Sequence, residues 1–218
     1  MIELTYDEKR KLWLEERKGG IGASDASAVM GLNPYKSNVQ LWEEKTGRII
    51  SEDISDKPYV KYGNEAEEPL RVLFGLDYPQ YEIIYNEFKL YRHSEYDFLF
   101  STLDGFLIEL STQRQGVLEI KTAEILSSMH KEKWSGGKVP DNYFVQVIHQ
   151  LLTTGAEFAY LKAQLKYDYE GQASLNTRHY YIERKNYLDD IEILLEKELK
   201  FWECVERDIK PDLILPPI

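Results

Sequence analysis

The octapeptide GVLEIKTA, residues 116–123, places an acidic Glu119 and a basic Lys121 inside a stretch that otherwise reads as a buried β-strand. Strand alternation sends both side chains to one face, and a charge set against apolar surroundings is costly unless something compensates it. Upstream, FSTLDGFLIEL puts Asp104 just before Gly105 at the junction of two apolar segments, fifteen positions ahead of Glu119. A hairpin across that interval brings the two carboxylates together at a strand end. With the carbonyl of Ile120 between Glu119 and Lys121, they supply hard oxygen ligands for a magnesium ion, and Lys121 becomes the group that positions or deprotonates its water. Each fragment also has an ordinary reading. Asp-Gly is a common turn dipeptide, and a Glu and a Lys two apart on one strand face form a surface ion pair.

The elements that must hold these residues alternate between helical and strand patterns. Residues 5–18 read as a helix capped by Thr5 or Asp7, ended by Gly19-Gly20, with Leu12 and Trp13 on its apolar side. GIGASDASAVMGLNPY follows, with Ser24 as the cap of a short helix stopped at Asn33-Pro34. SNVQLWEEKTG predicts a helix ending at Gly47, RIISEDISDKP a mobile loop, and YVKYGNEAEEPLRVLFG a helix with Leu70, Leu73 and Phe74 facing inward. Strands are expected near 82–91, 97–103, 105–110 and 116–122, then helices near 124–134 and 141–154, then strands near 157–167 and 177–183. In the last helix Leu188, Ile191, Leu195, Trp202 and Val205 recur at helical spacing, ahead of a Pro-rich tail over 208–218.

At 218 residues, 43% hydrophobic, the chain can bury a substantial core, and a single domain over 1–218 is expected. No apolar run approaches the ~18 residues that span a bilayer, and the opening MIELTYDEKRKLW is charged where a secretion signal is apolar. A lone Cys204 excludes an internal disulfide and a multi-cysteine zinc site, so a cytoplasmic location with no membrane partner is expected. The net charge of −11 argues against a basic coat for nucleic acid, yet the cations are uneven. Lys9, Arg10, Lys11, Arg17 and Lys18 fall in the first helix, and Lys131, Lys133 and Lys138 surround Trp134. The last helix carries Asp189, Asp190, Glu192, Glu196, Glu198, Glu203 and Glu206, which leaves room for a local basic groove on a body with an acidic outer back.

Taken together, D-(x14)-E-x-K resembles the core of the PD-(D/E)XK nucleases, and residues 13–165 resemble one branch of it, the lambda exonuclease and YqaJ-type viral recombinase nucleases. Trp13, Arg17, Ala23 and Ser24 match W-x3-R and A-S, continuing into GLNPYKS and LWEEKTG. Gly63 and Glu67 match G-x3-E, STLDG and LEIK match the strand pair, and Pro140, Tyr143, Gln146 and Thr154-Gly155 match P-x2-Y-x2-Q and TG. Leu103 stands where the superfamily is named for proline.

The resemblance implies an α/β fold with a central mixed sheet flanked by helices. It implies that Asp104 and Glu119 ligate the metal, that Lys121 handles the attacking water, and that Glu67 is a further active-site acid, with Glu65 and Glu68 as alternatives on the same helix. Arg17, Ser24, Thr102 and Gln146 match the positions that bind the terminal 5′ phosphate of the degraded strand. The chemistry is consistent, since a guanidinium makes bidentate bonds to phosphate and hydroxyl and amide groups add neutral donors. Each also has a structural reading: Ser24 as a cap, Arg17 paired to a glutamate, Thr102 as a strand residue, Gln146 bonded to backbone. The implied activity is Mg²⁺-dependent (with Mn²⁺ as a substitute) 5′-to-3′ degradation of linear double-stranded DNA, in a homotrimer working with a single-strand annealing protein. A selective endonuclease on the same core and a non-catalytic DNA-binding protein are the alternatives.

Overall fold

The structure, a computed structural model, describes residues 4–169 and 172–215. Helix α1 (Tyr6–Lys18) opens with a reciprocal cap: the Glu8 amide donates to the Thr5 hydroxyl, and the Thr5 amide donates to the Glu8 carboxylate at 2.8 Å. Strand β1 (Ile21–Gly22) leads into α2 (Ala23–Val29) and α3 (Asn38–Lys45), the latter capped by Ser37 and Gln40. No regular element lies between Lys45 and Pro58, where proline at the first helical position starts the long α4 (Pro58–Asp77). Strands β2 (Tyr81–Ile84), β3 (Tyr91–Arg92), β4 (Leu99–Ser101), β5 (Gly105–Glu109) and β6 (Gln115–Ile125) follow. Helices α5 (Ser128–Lys133) and α6 (Asp141–Thr154) then lead to β7 (Phe158–Tyr169), β8 (Gln172–Glu183) and α7 (Leu188–Glu206).

The main sheet has the order β2-β5-β6-β7-β8; β6 and β7 run parallel and the other pairs antiparallel. Parallel pairing demands a crossover, and α6 supplies it, ending at Gly155 in the left-handed conformation (φ 68°) that glycine adopts at no steric cost. Alternation along β6 divides the core. Leu118 and Ile120 pack with Leu70 and Phe74 of α4, while Val117 joins the larger cluster containing Val147, Ile148 and Leu151 of α6. A smaller sheet, β1-β4-β3, sits at the other end of the β4–β5 connection.

Several expectations are corrected. The strand expected near 82–91 is two strands in two different sheets, separated where Phe88 takes a positive φ of 64°. The helix expected over 124–134 is shorter, because β6 stays paired to β7 as far as Ile125. β8 begins at Gln172, five residues before the expected 177, because it follows β7 along its length. Leu73 is 48% exposed and Leu12 is 55% exposed, so neither faces a core. Helix α1 buries no residue and docks by the half-buried Trp13 against Phe88, with ring centroids 5.8 Å apart. Of the Pro-rich tail, 216–218 lie outside the described residues, and the preceding backbone is held by Asn38, which bonds the Asp212 carbonyl at 2.7 Å and the Ile214 amide at 3.0 Å. Among the described residues no helix is long and apolar enough to cross a membrane.

Candidate active site

Asp104 lies between β4 and β5, where the β5–β6 ladder begins at Gly105↔Leu118. Two residues further along, the Ile120 amide donates to Asp104 Oδ2 at 2.7 Å. The Asp-Gly dipeptide therefore opens a strand rather than a turn. A Cβ on Gly105 would sit 3.0 Å from Ile83 and 3.2 Å from Leu118, so glycine permits the close packing there.

On the α6 face of β6, Glu119 is 2% exposed and accepts three side-chain donors. Lys121 and Gln146 reach Oε1, the latter at 2.6 Å, and Gln150 reaches Oε2. The Glu119–Lys121 pair is thus no surface ion pair. Burial alone would lower the Lys121 pKa, but the Glu119 and Asp104 carboxylates override it and raise it, so Lys121 is held as a cation. Burial pushes the Asp104 carboxyl well above the ordinary aspartate value, and the Glu119 charge pushes it further.

Glu67 approaches from α4. It is half-buried and lines a cleft of about 150 Å³ with Val60, Gly63, Asn64, Ile120, Lys121 and Thr122. Burial raises its pKa and Glu119 adds to that, while Lys121 and Arg71 oppose it. Gly63 explains the helical G-x3-E spacing: its Cβ would lie 3.3 Å from the Thr122 hydroxyl, so glycine lets α4 close on β6. Glu65 and Glu68 are exposed, leaving Glu67 as the acid of this helix that faces the cleft.

The chemistry of these donors fits a hard divalent cation. Asp104 at the start of β5 and Glu119 on the neighbouring β6 crowd negative charge, and a cation there offsets both the burial and the Glu119 repulsion that raise the Asp104 pKa. Among the described residues no compact group of three or more His, Cys, Asp or Glu forms, so carboxylates alone do not complete the set. Lys121 and Gln146 occupy Glu119 Oε1, whereas Oε2 accepts from Gln150 and keeps a further lone pair for a cation.

The four residues matched to phosphate binding are placed less uniformly. Arg17 is half-buried with its guanidinium 4.4 Å from the Trp13 ring centroid; burial lowers its pKa and Asp25 opposes that. It makes no ion pair with a glutamate among the described residues. Ser24 is exposed and does not cap α2, since the Asp25 carboxylate takes the Gly22 amide at 3.1 Å instead. Thr102 is half-buried beside Asp104, and its carbonyl is 3.5 Å from the Gln150 amide. Gln146 bonds Glu119 rather than backbone, which joins it to the carboxylate cluster.

Three residues take places that the sequence does not predict. Gln150, fully buried one turn after Gln146, carried no local signal, since Gln146, His149 and Thr153 make its side of the helix polar in sequence. Glu198, read with the acidic back, is instead fully buried and bonded to His149 Nδ1 at 2.6 Å. Trp134 is also core, packed against Tyr143 and Tyr180, whereas Lys131, Lys133 and Lys138 around it are exposed.

A mixed sheet with acid–x–lysine on a central strand, a second carboxylate at the neighbouring strand's start and a glutamate helix over one face defines the PD-(D/E)XK nuclease fold. Two solved exonucleases share the architecture. One is an alkaline exonuclease from Laribacter hongkongensis (TM-score 0.65, 18% identity, 91% of this chain and 94% of that one). The other is a phage-related exonuclease from Haemophilus somnus (TM-score 0.55, 13% identity, 87% and 96%). The chain belongs to the YqaJ-like viral recombinase family, whose family model matches residues 12–157. It is 31% identical to the uncharacterized protein YqaJ of Bacillus subtilis over 201 residues, which is 92% of this chain and 56% of that protein. It is 26% identical over 155 residues to the uncharacterized protein R354 of Acanthamoeba polyphaga mimivirus, covering 68% of this chain and 27% of that one. The chain therefore spans about half of the former relative and about a quarter of the latter.

Proposed function

We propose that this chain is a single-domain, Mg²⁺-dependent 5′-to-3′ exonuclease that degrades one strand of linear duplex DNA, leaving 3′ overhangs for a single-strand annealing partner. The observation that carries the reading is the buried Glu119, fixed by Lys121, Gln146 and Gln150 beside Asp104, whose carboxyl is pushed up by burial and then by Glu119. The Laribacter hongkongensis exonuclease, a relative in fold, has also been solved in complex with dAMP.

Asp104, Glu119 and the Ile120 carbonyl hold the cation, and Glu67 lines its approach from α4. Bound Mg²⁺ supplies polarisation of the scissile phosphate and a lowered water pKa, and Mn²⁺ substitutes for it. Lys121, held as a cation beside Glu119 and Asp104, orients the attacking water and stabilises the negative charge that develops. Its proton becomes easier to lose only as charge is drawn off its carboxylate neighbours.

Arg17, Ser24, Thr102 and Gln146 receive the terminal 5′ phosphate, and Gln146 leaves Glu119 Oε1 to do so. The exposed cations of α1 and those around Trp134 line the DNA path, while the exposed acids of α7 keep DNA off the outer back. This arrangement suits a cytoplasmic homotrimer around the duplex.

The phosphate pocket has its own test. Wild type should digest a 5′-phosphorylated linear duplex faster than a 5′-hydroxyl one, and Arg17→Ala should shrink that ratio. Losing a charge-assisted hydrogen bond costs about 1.5–3 kcal/mol, or roughly 10- to 150-fold. The check is the ratio of initial rates at matched salt, because phosphate contacts are salt-dependent. A variant that slows both substrates equally and melts earlier shows that Arg17 only anchors α1, and an unchanged ratio removes Arg17 from the pocket.

A further inference from the structure

Arg71 is one turn beyond Glu67 on α4 and half-buried. Its guanidinium carbon lies over Tyr85, 3.6 Å from the ring centroid, and Nη1 donates to the Asp104 carbonyl at 3.2 Å. No carboxylate lies within ion-pair distance of it among the described residues. Tyr85 follows β2 directly, and the β2–β5 register (Ile84↔Phe106) places it opposite the Asp104–Gly105 junction.

That junction needs holding. A side chain at Gly105 would press on Ile83 and Leu118, and glycine leaves the backbone more conformational freedom than any other residue. The Ile120 amide fixes the Asp104 carboxylate at one end, and the carbonyl is the free end that Arg71 takes. A planar guanidinium can stack on a ring and donate in its own plane at once, which an ammonium cannot. Because Arg71 and Glu67 share a helix, the same contact couples the two acids to each other.

We propose that Arg71, clamped on Tyr85, is a positioning residue that fixes the Asp104 main chain and thereby presents the Asp104 and Glu67 carboxylates to the divalent cation. The assignment rests on the metal-site reading above, and its test separates the two. Mn²⁺ binding to the full chain is measured by calorimetry without DNA, together with melting temperature and with kcat and KM on a 5′-phosphorylated duplex. Arg71→Ala should weaken Mn²⁺ binding about 10- to 100-fold, the usual effect of losing an outer support, with kcat reduced and KM for DNA little changed. Arg71→Lys should recover only part of this, Tyr85→Phe should match wild type, and Tyr85→Leu should move in the direction of Arg71→Ala. Wild-type Mn²⁺ affinity in a folded Arg71→Ala variant overturns the proposal, and a raised KM alongside it makes Arg71 a DNA contact instead. If Arg71→Ala does not fold, Tyr85→Leu decides, and unchanged Mn²⁺ affinity there has the same consequence. Should wild type bind no Mn²⁺ that Glu119→Ala abolishes, the metal-site reading falls and the assignment of Arg71 falls with it.

Discussion

Glu119→Ala is expected to bring Mg²⁺-dependent DNA cleavage down by roughly 10³-fold or more, with Asp104→Asn similar. A metal clamp is worth several kcal/mol of transition-state stabilisation, and each 1.36 kcal/mol is tenfold in rate. DNA binding in chelator should persist or improve, since each change removes a carboxylate facing phosphate. Alanine also strips the acceptor from Lys121, Gln146 and Gln150, so Glu119→Gln, which keeps an oxygen there, is the control for folding. Lys121→Ala should cost about 10²-fold, the worth of one positioned proton-handling or electrostatic group. It should stay folded because both glutamines still satisfy Glu119. Near-normal activity of either carboxylate variant with magnesium contradicts the metal assignment, and an unfolded Lys121→Ala restores a purely structural ion pair.

The second large effect concerns stability. His149 on α6 is fully buried, with Nδ1 2.6 Å from Glu198 and Nε2 2.9 Å from the Phe100 carbonyl. Burial alone would lower its pKa, but Glu198 reverses this and raises it, with the Phe100 carbonyl and Asp25 acting in the same sense. A raised folded-state pKa gives stability that is complete below the ordinary imidazole value, near 6.5, and is lost as pH rises through the folded value. Melting temperature should therefore fall from pH 6 toward alkaline pH. Breaking a buried pair by removing one partner costs about 3–5 kcal/mol, so Glu198→Ala should lower Tm by about 6–20 °C in a chain of this length and flatten that pH dependence. Circular dichroism melts at several pH values check both. A pH-independent wild-type Tm, or a Glu198→Ala variant as stable as wild type, contradicts the account. The consequence extends to function, because α6 carries Gln146 and Gln150 to Glu119.

How much of this could be read beforehand depended on whether the signal was local. Glu119 and Lys121 stood out because charges in an apolar strand violate its alternation, and Asp104 because it broke two apolar runs at glycine. Helix spacing alone could not choose among Glu65, Glu67 and Glu68; the approach of α4 to Thr122, permitted by Gly63, does. Glu198 looked like one more solvated acid on an acidic helix, since its partner is 49 residues away. Arg71 and Gln150 look equally ordinary in sequence, and only the tertiary arrangement sets them against Asp104 and Glu119. The strand near 82–91 was misread because composition marks β-structure without saying which sheet receives it; the left-handed Phe88 marks where the chain changes sheets.

The proposed exonuclease reading has the Asp104–Glu119–Lys121 site working from a DNA end. The most direct measurement incubates the full chain with Mg²⁺ and equal amounts of covalently closed circular and linear 5′-phosphorylated duplex of the same sequence, following each by gel. Progressive loss of one strand of the linear duplex from its 5′ ends is expected, while the closed circle stays intact. Cutting of the closed circle would make the protein an endonuclease, and an untouched linear duplex would leave it a DNA-binding protein without this chemistry.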